Sequence, residues 1–474
     1  MNKQDTICAI STAQGGAIGM IRVSGPDSII ATNNIFKSAR GTNLLEAKPY
    51  TLLYGNIVDE KNNVLDEVMV SVFHAPHSYT GENSAEIMCH GSAYILQRTI
   101  ELLVKEGCRM AMPGEYTQRA FLNGKMDLSQ AEAVADLIAS SNAANHRLAI
   151  NQMRGGFSKE LRRLREQLLE MTSLLELELD FSEEDVEFAD RTLLLCLSEE
   201  IESVISRLTD SFRLGNALKN GIPVAIIGET NVGKSTLLNQ LLHEDKAIVS
   251  DVHGTTRDSI EDVITIQGTT FRFIDTAGIR TTDDIVENIG IERTFSKIKE
   301  ASIILWIIDA SQLATNNSDS NIQVEEIKTR ILPHCQDKSL ICVLNKCDLI
   351  QDHEFHSIYE NIYRGSGIDE NQTIRISAKN GINIAALETM LLDASHLTEV
   401  GDNDIIVTNL RHVQALAQAL ESIRTVETGL QSNLPGDLIS EDLRICLHHL
   451  SEIIGDVSSS EILTSIFSRF CIGK

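Results

Sequence analysis

Over the first 120 residues, apolar and polar positions follow the pattern of short strands. Apolar runs bounded by turn residues have the length and the β-branched composition of strands. One longer stretch, residues 93–106, shows the apolar spacing of a helix instead. We therefore predict an α+β domain over residues 1–120, with strands at residues 6–10, 19–23, 50–58 and 67–73.

From about residue 124 the apolar residues recur at helical spacing almost as far as residue 216. We interpret residues 129–132, S-Q-A-E, as the capping box that starts the first helix. The acidic segment 178–190 is interpreted as a solvated turn between helices, because it lacks the order of a calcium loop. One face of a helix is predicted to carry Leu161, Leu164, Leu168, Leu175 and Leu179.

Residues 219–385 differ from this helical pattern. Their short, mainly apolar runs are typical of buried parallel strands and are found at residues 223–227, 271–274, 302–309 and 341–344. Helical spacing returns at residues 412–430 and 438–470. Because the two ends of a domain often lie close together, we predict an α/β domain inserted into one split helical domain.

The loop after the first of these strands fits the phosphate-binding pattern G-x-x-x-x-G-K-[ST] at residues 228–235. The glycines let backbone amides surround phosphate oxygens, and the following helix adds the partial positive charge of its N-terminus. Lys234 would reach the outer phosphates, and the Ser235 hydroxyl would bind magnesium.

Two later segments have the order of a nucleotide switch. G-T-T-R-D at residues 254–258 fits a switch loop, whose threonine completes the magnesium shell only while the terminal phosphate is present. D-T-A-G at residues 275–278 follows a predicted strand, so Asp275 would hold magnesium through water and the glycine amide would contact the γ-phosphate.

The tetrapeptide Asn345-Lys346-Cys347-Asp348 indicates which base is bound. A carboxylate can accept hydrogen bonds from both N1–H and the exocyclic amine of guanine, whereas adenine has no such donor pair. Residues 377–379, S-A-K, would support the base from the other side. In this order, the motifs predict a Ras-like guanine-nucleotide-binding domain (G domain).

Ile279 stands where the usual G domain has the glutamine that orients the attacking water. Either hydrolysis is slow or another group takes this role. Asp283, Asp284 and Glu287 are candidates, and an exposed acidic loop without such a role is the alternative that spacing alone leaves open.

The amino-acid composition indicates the cellular compartment and restricts the kinds of partner that the protein can bind. With 41 basic and 67 acidic residues the net charge is −26, so any RNA contact must be local or shared with a partner. The nine scattered cysteines favour a reduced, cytoplasmic setting. Without an apolar run of about 18 residues or a signal peptide, we predict no membrane association.

Polar and charged residues also cluster at residues 78–87, just before His90 and Gly91. From composition alone we interpret this cluster as structural turn chemistry.

The chain ends in F-C-I-G-K, residues 470–474. Together with the loop order, this ending resembles that of the MnmE (TrmE) family, the tRNA-modification GTPases, and residues 229–231, 254–258 and 286–293 also match family positions. The resemblance covers the whole chain. It implies a folate-binding and dimerisation domain at residues 1–120, helical parts at residues 121–218 and 386–474, and a G domain at residues 219–385.

The resemblance also implies how GTP is held and hydrolysed. Ser235 and Thr256 match the magnesium ligands, and Glu287 matches the acidic residue that orients water once two G domains pair. A potassium ion between the β- and γ-phosphates would be bound by Asn231, Ser250, Val252 and Thr255. Expected nucleotide contacts are Asn231, Val232, Gly233, Lys234, Ser235, Thr236, Ser250, Asp251, Val252, His253, Gly254, Thr255, Thr256, Asp275, Thr276, Ala277, Gly278, Asn345, Lys346, Asp348, Ser377, Ala378 and Lys379.

Family N-terminal domains hold formyl-tetrahydrofolate as a one-carbon donor. Arg22, Glu86 and Lys125 match its binding positions, and Lys474 would reach it from the tail. Cys471 would be a functional thiol near the folate, although a buried structural thiol is the simpler interpretation of a lone cysteine. The C-a-a-X prenylation pattern fits poorly, because Gly473 is not aliphatic.

The activity implied by the resemblance is potassium-dependent GTP hydrolysis in tRNA modification. A homodimer, working with a flavin-containing partner, would install a carboxymethylaminomethyl-type group on the wobble uridine of certain tRNAs. The alternative is a regulatory GTPase switch that binds a ribosomal particle. That alternative leaves the N-terminal domain and the C-I-G-K ending without a purpose.

Overall fold

The computed structural model describes residues 5–13, 15–140, 142–180, 190–229, 231–244, 262–274, 298–314, 329, 332–335, 338–355, 358–359, 362, 368–395, 405–457, 460–468, 470 and 473. The chain divides into two compact units. The first comprises Met1–Ala139, Ala149–Ser206 and Gln414–Lys474, and the second comprises Ser140–Leu148 and Arg207–Val413.

In the described part of the first unit, seven strands form one sheet, called here the N-terminal sheet. They are β1 Ile7–Ile10, β2 Ile18–Ser24, β3 Phe36–Ser38, β4 Thr51–Val58, β5 Val64–Phe73, β6 Ser84–His90 and β7 Arg109–Met110. The strand order is β3-β4-β5-β6-β2-β1-β7, and β1 is antiparallel to β2 but parallel to β7. The four predicted strands are confirmed as β1, β2, β4 and β5.

The two faces of the N-terminal sheet differ because successive strand residues point to opposite sides. One face is covered by α1 Ser28–Ile35 and α2 Ala93–Lys105, and its buried residues include Ile21, Val70 and Ile87. The other face carries the intervening residues, and we call it the open face. Exposed apolar side chains on the open face are Ile18, Leu52, Tyr54 and Met69.

Helices predominate from residue 115 to residue 220 of the chain. They are α3 Glu115–Leu122, α4 Leu128–Ala139, α5 Ala143–Met153, α6 Gly156–Asp180 and α7 Arg191–Asn220. The predicted apolar face is confirmed on α6, where Leu161, Leu164, Leu168 and Leu175 are at most 1% exposed. The side chain of Leu179 and most of the acidic segment lie outside the described residues.

The predicted capping box at the start of α4 is wrong by two residues. Asp127 Oδ1 accepts from the backbone N–H of Gln130 at 3.0 Å, and Gln130 Oε1 accepts from the backbone N–H of Asp127 at 2.9 Å. Ser129 lies inside the helix and is fully buried. The sequence contains two overlapping box patterns, and α4 begins at the earlier one.

In the described part of the second unit, six strands form a mainly parallel sheet. They are β8 Ile222–Ile227, β9 Asp262–Ile266, β10 Thr269–Phe273, β11 Ile303–Asp309, β12 Ser339–Asn345 and β13 Thr373–Arg375, in the order β13-β12-β11-β8-β10-β9. Only the β9–β10 pair is antiparallel within these strands. The accompanying helices are α8 Lys234–Glu244, α9 Ala310–Ala314 and α10 Ile384–Ala394.

Both faces of this parallel sheet are buried. Along β11, Ile303, Leu305 and Ile307 belong to one apolar core. Ile304, Trp306 and Ile308 belong to the other. This arrangement confirms the α/β domain with buried parallel strands that the apolar runs predict.

The last helices are α11 Leu410–Gln431, α12 Gly436–Ile454 and α13 Ser460–Phe467. The helical spacing predicted over residues 438–470 is confirmed, and it is divided between α12 and α13. Gly455 ends α12 in the left-handed conformation, with φ 87°. A Cβ there would lie 2.9 Å from Phe121 and Leu128, so a glycine is required at this helix end.

The described 3-10 helices are Leu44–Glu46, Leu332–Cys335, Cys347–Leu349, Asp352–Glu354 and Glu370–Gln372. None of the helices in the described ranges combines the length and the apolar character that crossing a bilayer requires.

Candidate functional site

The phosphate loop runs from β8 to α8 and depends on two glycines. Gly228 has φ 148°, and a Cβ there would lie 2.3 Å from the carbonyl oxygen of Ile307. Gly233 has φ 101°, and a Cβ there would lie 2.2 Å from Asn345 Nδ2. Any other residue at either position would be strained and would also collide with β11 or β12.

Lys234 folds back over this loop. Its Nζ donates to the carbonyl oxygens of Gly228 and Glu229, each at 2.6 Å. Ser235 and Thr236 follow in the first turn of α8. The loop therefore brings an ammonium group, a hydroxyl and the N-terminus of α8 together, which is the combination that binds phosphate.

Asn345, the last residue of β12, connects two loops of the site. Its Nδ2 donates to Val232 O at 2.7 Å, and its Oδ1 accepts from the backbone N–H of Ala378 at 3.0 Å. The residue is 3% exposed. Sequence reasoning assigned Asn345 to base recognition, whereas its side chain joins the phosphate loop to the loop after β13.

Asp309 is a site residue that the sequence analysis missed. It ends β11 beside Asn345, is 3% exposed, and accepts from Lys346 Nζ at 2.6 Å. Its other oxygen accepts from the Ser311 backbone N–H and hydroxyl. A carboxylate directly after a fully apolar strand was the signal that could have identified it.

Asp348 lies in the 3-10 helix after β12 and is exposed. Ser377 and Ala378 are 1% exposed, while Lys379 is exposed. β12 and β13 are parallel neighbours, so their carboxyl ends bring these two predicted base-binding segments together.

Several predicted nucleotide-site residues lie outside the described residues. They are Ser250, Asp251, Val252, His253, Gly254, Thr255, Thr256, Asp275, Thr276, Ala277, Gly278, Ile279, Asp283, Asp284 and Glu287. Asn231 is described; it is exposed and has φ 64°.

A second candidate site lies on the open face of the N-terminal sheet. Arg22 of β2 and Glu86 of β6 are cross-strand partners, with Nε and Nη2 2.9 and 2.8 Å from Glu86 Oε1. Tyr79 and Tyr116 lie beside the guanidinium, with ring centroids 5.4 and 5.7 Å from its central carbon. Both partners of the ion pair are less than one-fifth exposed, so the two charges are largely shielded from solvent.

Ser71 of β5 follows Glu86 in the same cross-strand row. Its hydroxyl is buried and has no hydrogen-bond partner among the described residues. A buried polar atom without a partner is costly unless a ligand or water satisfies it.

Lys125 and the tail approach the same domain by different contacts. Lys125 Nζ donates to the carbonyl oxygen of Pro76 at 3.0 Å. In the tail, Gly473 O accepts from the Ser11 hydroxyl at 3.3 Å, directly after β1. Cys471 and Lys474 lie outside the described residues.

A cavity of about 760 Å³ lies elsewhere, at the amino-terminal ends of β8 and β12. Its lining includes Arg213, Ile222, Lys338 and Asp393, and none of the motif residues. The nucleotide motifs lie at the opposite, carboxyl-terminal ends of these strands.

Curated relatives match the chain over its full length. One from Bacteroides thetaiotaomicron, described as tRNA modification GTPase MnmE, is 60% identical over 99% of this chain and 100% of its own. One from Flavobacterium johnsoniae with the same description is 50% identical over 100% of both chains. A crystal structure of Era with MgGDPNP and a 16S ribosomal RNA fragment is 30% identical over 42% of this chain and 65% of its own, with a TM-score of 0.28.

The parallel sheet, its phosphate loop and the N-K-x-D segment define a Ras-like G domain, here joined to an α+β domain and to helices on both sides. The family model "GTP-binding protein TrmE N-terminus" matches residues 6–125, and the model "MnmE helical domain" matches residues 128–471. The chain belongs to the MnmE (TrmE) family of tRNA modification GTPases.

Proposed function

We propose that the chain is a potassium-dependent GTP hydrolase which acts, with a flavin-containing partner, in placing a carboxymethylaminomethyl-type group on the wobble uridine of certain tRNAs. The observation that best supports this proposal is that one chain matches the family models of the TrmE N-terminus and of the MnmE helical domain and also contains a formed phosphate loop. A ribosome-bound switch would need only the last of these. The names of the relatives supply the tRNA substrate.

GTP fits the phosphate loop because Gly228 and Gly233 adopt the positive φ values that let backbone amides turn toward phosphate oxygens. Bound GTP would supply the phosphoanhydride bond that is hydrolysed. Lys234 now donates to neutral carbonyl oxygens, and charged phosphate oxygens would replace them as stronger acceptors. Asp348 and the loop of Ser377, Ala378 and Lys379 would bind the guanine.

Magnesium would be held by Ser235 and Thr256, and potassium by Asn231, Ser250, Val252 and Thr255. Of these six residues, Ser235 and Asn231 lie within the described part of the phosphate loop, and both carry oxygen donors, which hard cations prefer. Potassium would offset charge between the β- and γ-phosphates. We expect Asn231→Ala to remove the difference in GTP turnover between potassium and sodium.

Glu287 would orient the attacking water in place of the missing glutamine. Because it would act only in the transition state, Glu287→Ala should leave GTP affinity near normal while kcat falls by about 10²- to 10⁴-fold. Weaker GTP binding together with a normal single-turnover rate would contradict this role.

Formyl-tetrahydrofolate would bind at Arg22, Glu86, Lys125 and Lys474 and supply a one-carbon unit. The Ser71 hydroxyl, which has no hydrogen-bond partner in the described ranges and lies in the same cross-strand row as Glu86 and Arg22, supports a polar ligand at this point. Glu86 can accept N–H groups of a heterocycle while Arg22 offsets its charge. Cys471 would act near this ligand, and the contact between Gly473 and Ser11 supports a tail that reaches the domain.

We further propose a cytoplasmic homodimer that pairs through the open face. Its exposed side chains Ile18, Leu52, Tyr54 and Met69 support this surface. The net charge of −26 supports a partner that supplies much of the tRNA contact. The domain boundaries proposed are those of the sequence analysis: residues 1–120, 121–218, 219–385 and 386–474.

The decisive experiment is nucleoside analysis of tRNA from cells that lack the gene. We expect the modified wobble uridine to disappear and to return when the wild-type gene is supplied, but not when Gly233→Val is supplied. Unchanged tRNA in the deletion strain, with altered ribosomal particles instead, would favour the regulatory switch.

A further inference from the structure

Asp309 places a buried charge at the carboxyl end of β11, and its two oxygens have different partners. Oδ1 accepts from the backbone N–H and the hydroxyl of Ser311, at 3.0 and 2.6 Å, which is the geometry of a cap for the short helix α9. Oδ2 accepts from Lys346 Nζ at 2.6 Å. The cap uses only one oxygen, so the ion pair is a second and separate interaction of this carboxylate.

Lys346 has an unusual backbone conformation at a point that matters for the base. Its φ of 63° and ψ of 34° lie in the left-handed region, which residues with a side chain rarely adopt. It directly precedes the 3-10 helix Cys347–Leu349, which contains Asp348, and its side chain makes no capping bond to that helix. The ammonium instead reaches from the end of β12 to Asp309 on β11.

The turn of residues 346–349 is thus held from two neighbouring strands. On the β13 side, the backbone N–H of Cys347 donates to the carbonyl oxygen of Ile376 at 3.1 Å. On the β11 side, the ion pair with Asp309 holds the residue that begins the turn. Without the ion pair, the segment that presents the exposed carboxylate of Asp348 would lose its side-chain anchor to β11.

Burial makes this anchor sensitive to geometry. The Asp309 side chain is 3% exposed and that of Lys346 is 32% exposed. A buried ion pair adds little stability relative to apolar residues in the same place, but removing one partner leaves the other charge unpaired. Lys346 is therefore held in one arrangement, although the pair contributes little to the net stability of the domain.

Asp309 also acts electrostatically on the start of the phosphate loop. Burial raises the pKa of the Glu229 carboxyl, Lys234 opposes this, and the negative charge of Asp309 raises the pKa again. Asp309 can therefore influence a bound nucleotide by two routes, through the base segment or through the phosphates. An experiment has to separate them.

We propose that Asp309 is a positioning residue for guanine selectivity: through Lys346 it fixes the turn that carries Asp348. The assignment rests on the proposed guanine contact of Asp348 and extends it to a residue that acts through another. A carboxylate that accepts from both N1–H and the exocyclic amine has to be held closely in place. A turn without the β11 anchor would still meet one donor, but not both at once.

The test compares binding of GDP with binding of inosine diphosphate (IDP). Hypoxanthine lacks the exocyclic amine, so the ratio of the two Kd values measures the second hydrogen bond. Wild-type protein should prefer GDP by about 10- to 100-fold, as expected for one hydrogen bond to a charged group. Both Kd values come from equilibrium competition against methylanthraniloyl-GDP on the full-length protein.

The informative variant is Asp309→Ser. Serine is a good capping residue, so α9 keeps its cap, but the side chain is too short to reach Lys346. We expect GDP binding to weaken and the preference for GDP over IDP to fall by at least about 3-fold, since the second hydrogen bond is lost or weakened. A general loss of stability would weaken both nucleotides equally and leave the ratio unchanged.

Ser339→Ala is the matched control. Ser339 Oγ donates to the carbonyl oxygen of Ala394 at 2.9 Å, at the opposite, amino-terminal end of β12. This variant loses a side-chain hydrogen bond of the same strand, and its GDP-to-IDP preference should equal that of wild type. Thermal unfolding without nucleotide verifies that both variants are folded.

A double-mutant cycle with Lys346→Met tests the route. Lys346→Met leaves the buried Asp309 carboxylate without its ammonium, which is costly. In that background Asp309→Ser removes the unpaired charge, so GDP affinity should stay the same or improve, whereas the same substitution weakens GDP binding in wild type. An equal loss in both backgrounds would show that Asp309 does not act through Lys346, and it would overturn the proposal.

The remaining outcomes separate this role from the base assignment. Equal weakening of GDP and IDP by Asp309→Ser would assign Asp309 to the phosphate loop or to stability and overturn the proposal. A wild-type preference for GDP that Asp309→Ser retains in full would overturn the role of Asp309 and leave the guanine contact intact. If wild-type protein binds GDP and IDP equally, the base contact of Asp348 fails, and the role of Asp309 fails with it.

Discussion

At the scale of single residues, base selectivity depends on the exposed carboxylate of Asp348. We predict that Asp348→Asn prefers xanthosine triphosphate, because the amide can donate to the additional carbonyl of xanthine. GTP binding should weaken by about 10- to 100-fold, which corresponds to one charged hydrogen bond. The readout is energy transfer to methylanthraniloyl nucleotides from Trp306, the single tryptophan, whose strand pairs with β8. Unchanged GTP affinity would contradict the base assignment.

The residues of the nucleotide site were predictable because each motif fixes residue type and order. The links between them were not. Asn345 joins Val232 to Ala378, and Asp309 pairs with Lys346. Both links join parts of the chain more than 30 residues apart, so they follow from strand order, which local spacing does not contain.

An ion cluster in the first unit gives a pH prediction. Burial by itself raises the pKa of the Glu115 carboxyl. Its bonds to Arg109, to the Met112 N–H and to Arg119 lower the pKa by more than burial raises it, so the pKa is below the ordinary value of 4.5. A pKa lowered by folding stabilises the folded state above the unfolded-state value, and that stabilisation is lost as the pH falls through the folded-state value.

We therefore expect urea midpoints, followed by far-ultraviolet circular dichroism, to fall between pH 5 and pH 3. In Glu115→Gln the urea midpoint should fall less steeply with pH, because the amide does not titrate and takes up no proton on unfolding. The same slope in both proteins would show that Glu115 does not contribute to acid lability.

At the scale of elements, the start of α4 gives a prediction with its own control. Asp127 caps the helix and also pairs with Arg162 at 2.8 Å. Asp127→Ala removes both interactions, whereas Asp127→Asn keeps a capping oxygen and removes the charge. We expect Asp127→Ala to destabilise the first unit by about 1 kcal/mol.

Asp127→Asn should lower the free energy of unfolding clearly less than Asp127→Ala does. The Arg162 side chain is half exposed, and an ion pair with an exposed partner contributes little to stability. Thermal unfolding of both variants measures the difference. Equal losses would assign the effect to the ion pair and not to the cap.

Element types followed from periodicity, whereas element ends did not. The sequence contains S-x-x-E and D-x-x-Q boxes two residues apart. Because Ser129 is buried inside α4, the helix begins at the D-x-x-Q box, which comes first along the chain. Likewise the apolar spacing continues across Gly455, where a close approach to Phe121 and Leu128 requires a glycine and ends α12. Tertiary contacts decide both boundaries.

At the scale of the whole molecule, an α/β domain inserted between helices was predictable from the change of apolar spacing. The assignment of residues 140–148 to the second unit was not. Asn142 donates to Thr270 at 2.6 Å and Asn145 donates to Lys219 O at 3.2 Å. These two asparagines carry no periodic signal, so their long-range contacts were not visible in the sequence.

The open face gives the last prediction, which concerns assembly. Met69 is 41% exposed among the apolar side chains of this face, and Ile445 on α12 is also 41% exposed. If a second copy covers the open face, Met69→Lys places a charge in an apolar contact, and burying an unpaired charge is costly. We expect the dimer Kd to rise more than 10-fold by sedimentation equilibrium, whereas Ile445→Lys leaves it unchanged. A Met69→Lys protein that stays dimeric at wild-type concentrations would show that the copies pair through another surface.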